Sequence, residues 1–265
     1  MQVSIADLVE RQDIGHVTRL TMNDPSRLNA LSLAMLDRLQ SELATIAADP
    51  SVRVVILAGA GKAFCAGHDL REIQAVRAAP DGGAAAFAGL FDRCTQFMLA
   101  ITALPQPVIA QVHGVAAAAG CQLVATCDLA VAGHGTRFGV NGVNIGLFCS
   151  TPMVALTRNI AAKAAFEMLT TGDFIDTTRA QALGLINRVA ENDLEAETLA
   201  LAQTIATKRT AVVRMGKAAF YAQAEMDVAQ AYALTGVVMV ENLALPDTCE
   251  GIAAFIAKRT PDWRD

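Results

Sequence analysis

The residues best placed to do chemistry in this 265-residue chain are small ones. His113 to Asp128 reads HGVAAAAGCQLVATCD, and the apolar run Val108–Val112 ahead of it reads as a strand. Ala116 to Gly120 makes a turn almost without side-chain bulk, and Cys121 to Cys127 then reads as a buried helix. A ligand can approach such a backbone closely, and the unpaired N–H groups of the helix's first turn face it. That setting suits a negative charge or a developing oxyanion. It is not a phosphate-binding loop, because no Gly-Lys-Ser/Thr follows. The plainer alternative is that small residues only let a helix pack tightly on a sheet.

A second turn has the same character. Residues 59–72 read GAGKAFCAGHDLRE, just after the apolar run Val52–Ala58 and just before a helix. Two Gly/Ala-rich turns, each at the C-terminal end of a strand, can supply two convergent backbone N–H groups. An oxyanion hole for a thioester carbonyl requires that arrangement. From about Asp7 to Trp263 the chain resembles the crotonase superfamily (enoyl-CoA hydratase/isomerase). The resemblance rests on Phe64-Cys-Ala-Gly-His-Asp-Leu70, on His113-Gly114 with the helix start Gly120-Cys121, and on Cys127-Asp128-Leu-Ala. Within the family, GCQLVATCDLAVA at 120–132 and GLFCSTP at 146–152 are similar to one particular branch.

The resemblance implies an α/β fold, a crotonase-like spiral of β-β-α repeats. It implies a spiral core over 1–195 and a helical region over 196–265 that forms trimers, or dimers of trimers, and completes the CoA site. It places the oxyanion-hole amides at His68 and Ala119. It implies substrate contacts at Arg27, Ala66, Asp69, Leu70, Arg71, Gly120, Asn144, Cys149 and Ser150. Phe255 and Lys258 would reach the CoA of a neighbouring subunit. Read without the resemblance, Arg27 is a solvated loop arginine, Arg71 a surface partner of Glu72 or Glu42, and Lys258 one charge on a helix face. The implied ligand is an acyl-CoA thioester, with no cofactor beyond CoA as part of the substrate.

Hydration of an enoyl thioester also needs proton transfer. The family's hydratases use two glutamates, which would fall at Gln122 and Gly142; both carboxylates are absent. Glutamine can hold a water but cannot take its proton, and losing a positioned acid/base costs about 10²–10⁴-fold. No Asp or Glu occurs in 138–150, and the nearest acids, Asp128 and Asp173, match no catalytic position. Hydration is therefore expected to be weak or absent, and Gln122→Glu with Gly142→Glu to raise it. Other polar groups near the site are Asn141, Asn144, Cys149, Ser150 and Thr151. Ser150 falls where chlorobenzoyl-CoA dehalogenases carry a nucleophilic Asp. Cys149 or Ser150 reads either as an activated nucleophile, with a lowered thiol pKa at a helix N-terminus, or as a buried thiol beside a helix cap. Two functional classes stay open: an acyl-CoA enzyme (weak hydration or isomerisation, thioester hydrolysis, decarboxylation) and a non-catalytic scaffold holding an acyl-CoA or a protein partner. A nucleotide-binding protein is disfavoured, since GxGxxG and Walker patterns are absent.

The elements that must position these turns can be read in order. Residues 8–11 and 17–22 read as strands joined by Gln12–Gly15. Ser32 caps a helix with apolar residues at Leu36, Leu39, Leu43 and Ile46. Residues 78–86 are low in complexity and read as a mobile segment, which the resemblance places beside the acyl pocket. A stripe from Phe87 to Ile101 reads as core, with one or two residues shared with that pocket. Leu129–Ala132 reads as a strand, 138–150 as a loop, and Thr151-Pro152 as a cap and first helical residue. Helices follow at 152–160, 162–170 and 178–183, then strand 186–189. Beyond Asn192 only helices are expected: 193–207, 211–224, 227–244 and 248–258.

Bulk properties narrow the class. Hydrophobic residues make up 53% and charged residues 18%, with a net charge of −5. That suits a globular chain with an ample core and shows no basic nucleic-acid footprint. Six cysteines without a Cys-x-x-Cys pair suggest buried reduced thiols in a cytoplasmic protein. Residues 1–12 lack the pattern of a signal or transit peptide, and no apolar run is long enough to span a membrane.

Overall fold

The computed structural model describes residue 4 and residues 7–263; the expectation about a leader at 1–12 falls partly outside them. The chain opens with a hairpin of β1 (Val9–Ile14) and β2 (Val17–Met22), paired from Val9–Met22 to Ile14–Val17. β2 continues into parallel pairing with β3 (Val54–Gly59), then β4 (Val108–Val112), β6 (Leu129–Ala132) and the two-residue β9 (Arg188–Val189). The sheet order is β1-β2-β3-β4-β6-β9. β3 buries five of its six residues, as a near-continuous apolar strand covered on both faces should. A second sheet holds β5 (Val115–Ala117), β7 (Arg137–Gly139) and β8 (Ile175–Asp176) in the order β5-β7-β8.

The chain alternates between the two sheets. β4 leads to β5 and then to α4 (Ala119–Thr126); β6 leads to β7 and, past a 3-10 turn at Asn141–Ile145, to α5 (Ser150–Asn159). Each turn thus places one strand in each sheet and then adds a helix. Isolated bridges Leu31–His68 and Cys65–Ala116 carry the same path back through the first half. This is the spiral of β-β-α repeats expected of a crotonase-like chain.

Helices close over the sheets. α1 (Leu33–Ala48) begins where Ser32 Oγ accepts the Met35 N–H at 3.2 Å, and it buries Leu36, Leu39, Leu43 and Ile46. α2 (Leu70–Ala75) starts at Asp69, whose carboxylate accepts the Arg71 N–H at 2.8 Å. α3 (Ala84–Ala103) buries Leu90, Cys94, Phe97, Met98 and Ile101, the expected stripe. α6 (Ala162–Thr171), α7 (Thr177–Leu183) and α8 (Leu194–Ala206) follow. Asp128 is structural: its carboxylate accepts the Val108 N–H at 2.6 Å and pins the start of β4.

Several boundaries differ from expectation. β5 and β8 are three and two residues long, too short for a period to show, and they are strands only because partners pair with them. The 138–150 segment holds part of β7 and the 3-10 turn instead of being loop throughout. α5 starts at Ser150 with Cys149 as its N-cap and no side-chain cap bond, so neither Ser150 nor Thr151 caps it.

The chain divides into two compact units, Met1–Ile205 and Ala206–Asp265. The division lies at the end of α8 and not at 195. α8 belongs to the first unit because Thr198 and Ala202 are fully buried, and Glu195 pairs with the buried Arg19 of β2. The second unit holds α9 (Thr210–Ala224), α10 (Val228–Leu243) and α11 (Pro246–Ile256). Within it, Arg209 binds Asp247 at 2.6 Å and lies over the Trp263 ring. Among the described residues, no single helix is long and apolar enough to cross a membrane.

Candidate functional site

Three backbone segments lie side by side and consume one another's amides. Ala66 N–H donates to Leu28 O (3.0 Å) and Leu31 N–H to Gly67 O (2.8 Å). Cys65 N–H donates to Val115 O (3.2 Å), Ala117 N–H to Cys65 O (2.9 Å) and Ala118 N–H to Gly139 O (2.8 Å). Asn29 locks the first two segments together, donating to Ala60 O and Ala63 O at 2.8 Å each. His68 and Ala119 follow directly on these paired residues, and their own amides have no acceptor among the described residues. Ala119 is the first residue of α4, where an orphan N–H is expected.

The two turns touch at this point. A Cβ on Gly67 would lie 3.1 Å from Ala117 O and from the Ala118 methyl, and 3.4 Å from the Ala119 nitrogen. Gly67 also has φ +99, which glycine alone adopts freely. Ala118 carries φ 48 and ψ −116, a conformation strained for any L-residue. This residue immediately precedes the peptide that bears the Ala119 N–H. Such a residue costs about 1–3 kcal/mol. Ala118→Gly is therefore expected to stabilise the fold by roughly 1 kcal/mol after glycine's own entropy cost. Thermal unfolding should read this as a melting temperature about 2–4 °C higher.

A cavity of about 530 Å³ opens beside the two amides. Ala66, His68, Ala118 and Ala119 line one part. Leu70, Ile73 and Phe91 come from α2 and α3; Asn141, Gly142, Ile145, Leu147 and Phe148 come from the 3-10 turn and the segment after it; Cys149 to Pro152 come from the start of α5. No charged side chain is among them. The His68 ring donates from Nδ1 to Leu31 O (3.2 Å), packs edge-on to Phe91, and has a buried Nε2 without a partner. Burial lowers its pKa, although the bond to Leu31 opposes the shift. The imidazole is therefore neutral near pH 7.

The structure brings together Ala66, His68, Leu70, Ala119, Gly142, Cys149 and Ser150 on the cavity wall. Other expected residues act elsewhere. Gln122 is only 6% exposed, is not on the wall, and its side-chain oxygen has no partner. Arg27 pairs with Asp69 at 2.7 Å and approaches Asp24 at 3.8 Å, so Asp69 serves as both helix cap and counter-ion. Arg71 is exposed and pairs with neither Glu72 nor Glu42 among the described residues: Glu72 accepts the Leu33 N–H and Glu42 binds Arg38. Gly120 packs against Cys65 O, and Asn144 donates to Gly172 O at 3.4 Å; neither faces the cavity. Phe255 is 84% exposed and Lys258 is exposed, both in the second unit. Segment 78–86 is closed by Asp81, which accepts the Gly83 and Ala85 N–H groups, and it contributes nothing to the wall; Phe91 does.

The surroundings of Cys149 favour the buried-thiol reading. Burial pushes its pKa up, only partly offset by the Gly142 N–H on its sulfur. Cys121, fully buried, is pushed up to about 12. Ser150 Oγ reaches only Phe148 O, at 3.5 Å, and no base approaches it among the described residues. Five of the six cysteines are buried and Cys249 is exposed; all are free. Sequence reasoning did not find Ile73, Ala118, Ile145, Leu147 and Phe148. Isolated apolar residues in a six-residue helix, a 3-10 turn or a loop carry no periodic signal, and a strained alanine looks like any other in a run of four.

A two-sheet spiral with a backbone-lined cavity between its strand-to-helix turns defines the crotonase class. The chain belongs to the enoyl-CoA hydratase/isomerase family, whose model matches residues 13–265. The human protein named enoyl-CoA hydratase domain-containing protein 3, mitochondrial, is 46% identical over 248 residues, covering 93% of this chain and 80% of its own length. That is the branch which stretches 120–132 and 146–152 resemble. A crystal structure of human enoyl-CoA hydratase domain-containing protein 3 superposes with a TM-score of 0.91 at 43% identity, covering 97% of this chain and 100% of the other. One of enoyl-CoA hydratase from Mycobacterium smegmatis gives 0.92 at 53% identity, covering 97% and 98%. The cytoplasmic expectation is overturned: the human relative, like others of that branch at similar identity, carries a mitochondrial name. Buried free thiols mark a reducing environment in general, which is why composition could not separate the compartments.

Proposed function

We propose that this chain binds an acyl-CoA thioester with its carbonyl oxygen between the His68 and Ala119 amides. The observation that carries the reading is the contact of the Gly67 turn with the start of α4, which leaves those two amides unpaired beside a cavity. Two such donors can stabilise an enolate by roughly 3–4 kcal/mol each. Among the described residues no carboxylate lines the cavity, so the paired-glutamate device that holds a water and takes its proton is missing. Hydration is weak or absent. The neutral His68 is a lining group in this reading, and CoA enters only as part of the substrate.

Self-association as a trimer or dimer of trimers is part of the proposal. It is supported within the second unit by α10, which buries none of its residues although Tyr232, Val237, Met239, Val240 and Leu243 are apolar and exposed. In that assembly Phe255 and Lys258 reach a neighbour's CoA. Sedimentation should show a trimer or hexamer; a monomer at micromolar concentration would remove this part.

The test follows enoyl-thioester absorbance with crotonyl-CoA at high protein concentration, beside a family hydratase that carries both glutamates. Acyl-CoA should raise the melting temperature while absorbance stays flat. A rate comparable to the hydratase would overturn the reading of the missing carboxylates. Absence of any acyl-CoA effect on melting would overturn the binding site itself.

A further inference from the structure

Given the thioester site proposed above, the lining of the cavity narrows the acyl group. We infer that the site takes an uncharged, medium-chain acyl group, and neither a four-carbon nor a carboxylate-ended one. With the carbonyl oxygen on the His68 and Ala119 amides, the acyl chain has the adjoining cavity to fill. Its volume of about 530 Å³ lies inside the roughly 300–1,000 Å³ range of sites that enclose drug-sized ligands. A four-carbon chain leaves most of it empty, and a chain of roughly eight to ten carbons covers more of its wall.

The wall is of matching chemistry. Leu70, Ile73, Phe91, Ile145, Leu147 and Phe148 supply the apolar surface. Leu70, Ile145, Leu147 and Phe148 are 52%, 63%, 47% and 40% exposed, so the apolar surface they present is not covered by other described residues of the first unit. Contiguous exposed apolar surface on a cavity marks a ligand-binding site. Gly142 adds no side chain, and a Cβ there would strike Leu147 O at 2.3 Å and Cys149 Sγ at 2.8 Å. The position at which the family's hydratases carry a carboxylate is thus closed by a neutral thiol. The polar groups on the wall, Asn141, Ser150, Thr151 and His68, are uncharged. A terminal carboxylate would give up its hydration without meeting a cation.

Calorimetry on the full chain with butyryl-, hexanoyl-, octanoyl-, decanoyl- and adipyl-CoA tests this. Burying each methylene should tighten binding about fourfold, so octanoyl-CoA should exceed butyryl-CoA by on the order of 10²-fold. Adipyl-CoA should bind at least about tenfold more weakly than hexanoyl-CoA, its uncharged counterpart. Leu147→Asn with Phe148→Asn should bring octanoyl-CoA down towards butyryl-CoA. Equal affinity along the series, tighter binding of adipyl-CoA, or an unchanged series in the double variant would each overturn the chain-length inference. If no thioester of any length binds, the thioester reading itself falls, a distinct result.

Discussion

Gly120→Ala is expected to be among the most damaging single-methyl additions in this chain. Gly120 has ordinary helical backbone, so what matters is space. A Cβ there would stand 2.2 Å from Cys65 O and 2.8 Å from Cys65 C, and these are backbone atoms that cannot swing aside. The same Cys65 carbonyl accepts the Ala117 N–H at 2.9 Å, and Cys65 N–H holds Val115 O. Relieving the clash means pushing α4 away from the turn that ends at His68, which separates the two unpaired amides. The cost is about 3 kcal/mol, the upper part of the overpacking range, or roughly 6–12 °C in melting temperature for a chain of this size. Any protein that still folds should bind butyryl-CoA at least about tenfold more weakly by calorimetry, a loss on the order of 1.4 kcal/mol. A variant that melts and binds like wild type would show that the two turns are not held together at Gly120.

The second large effect reverses an expectation drawn from sequence. From sequence, restoring both glutamates is expected to raise hydration, yet the structure leaves no room for the one at 142. Gly142→Glu must fit a Cβ between Leu147 O and Cys149 Sγ, while Leu147 N–H holds Gly142 O at 2.9 Å and closes that loop. Gln122→Glu places a carboxylate where only 6% of the residue is exposed. Desolvation raises the pKa of such a group, and the protonated acid cannot act as the base. The double variant is therefore expected to lose about 2–4 kcal/mol of stability. It should stay at least about 10²-fold below a glutamate-bearing family hydratase in crotonyl-CoA hydration. Chemical denaturation and the absorbance assay read the two effects separately. A rate within tenfold of the hydratase would mean that the segment 141–149 relaxes to admit the side chain, and that the two carboxylates alone suffice to restore hydration.

Much of the fold was legible in the sequence because its elements are driven by local pattern. The continuous apolar runs of β3 and β4, the Ser32 cap of α1, and the 3.6-residue stripe of α3 each carry their own signal. So do the Gly/Ala-rich turns at 59–68 and 116–120, which need no periodic pattern to be seen. That 122 is Gln and 142 is Gly was readable in the same way. What only the tertiary structure decided depends on pairing between distant segments. β5 and β8 exist through their partners; α8 joins the first unit through Arg19 and buried Thr198; Arg27 is claimed by Asp69 and not left free for a ligand. The strain at Ala118, the upward shift of the Cys149 thiol and the closed space around Gly142 belong to the same class. Residue type sets what a side chain can do, but burial, neighbouring carbonyls and free volume are properties of segments brought together, and no single stretch of sequence contains them.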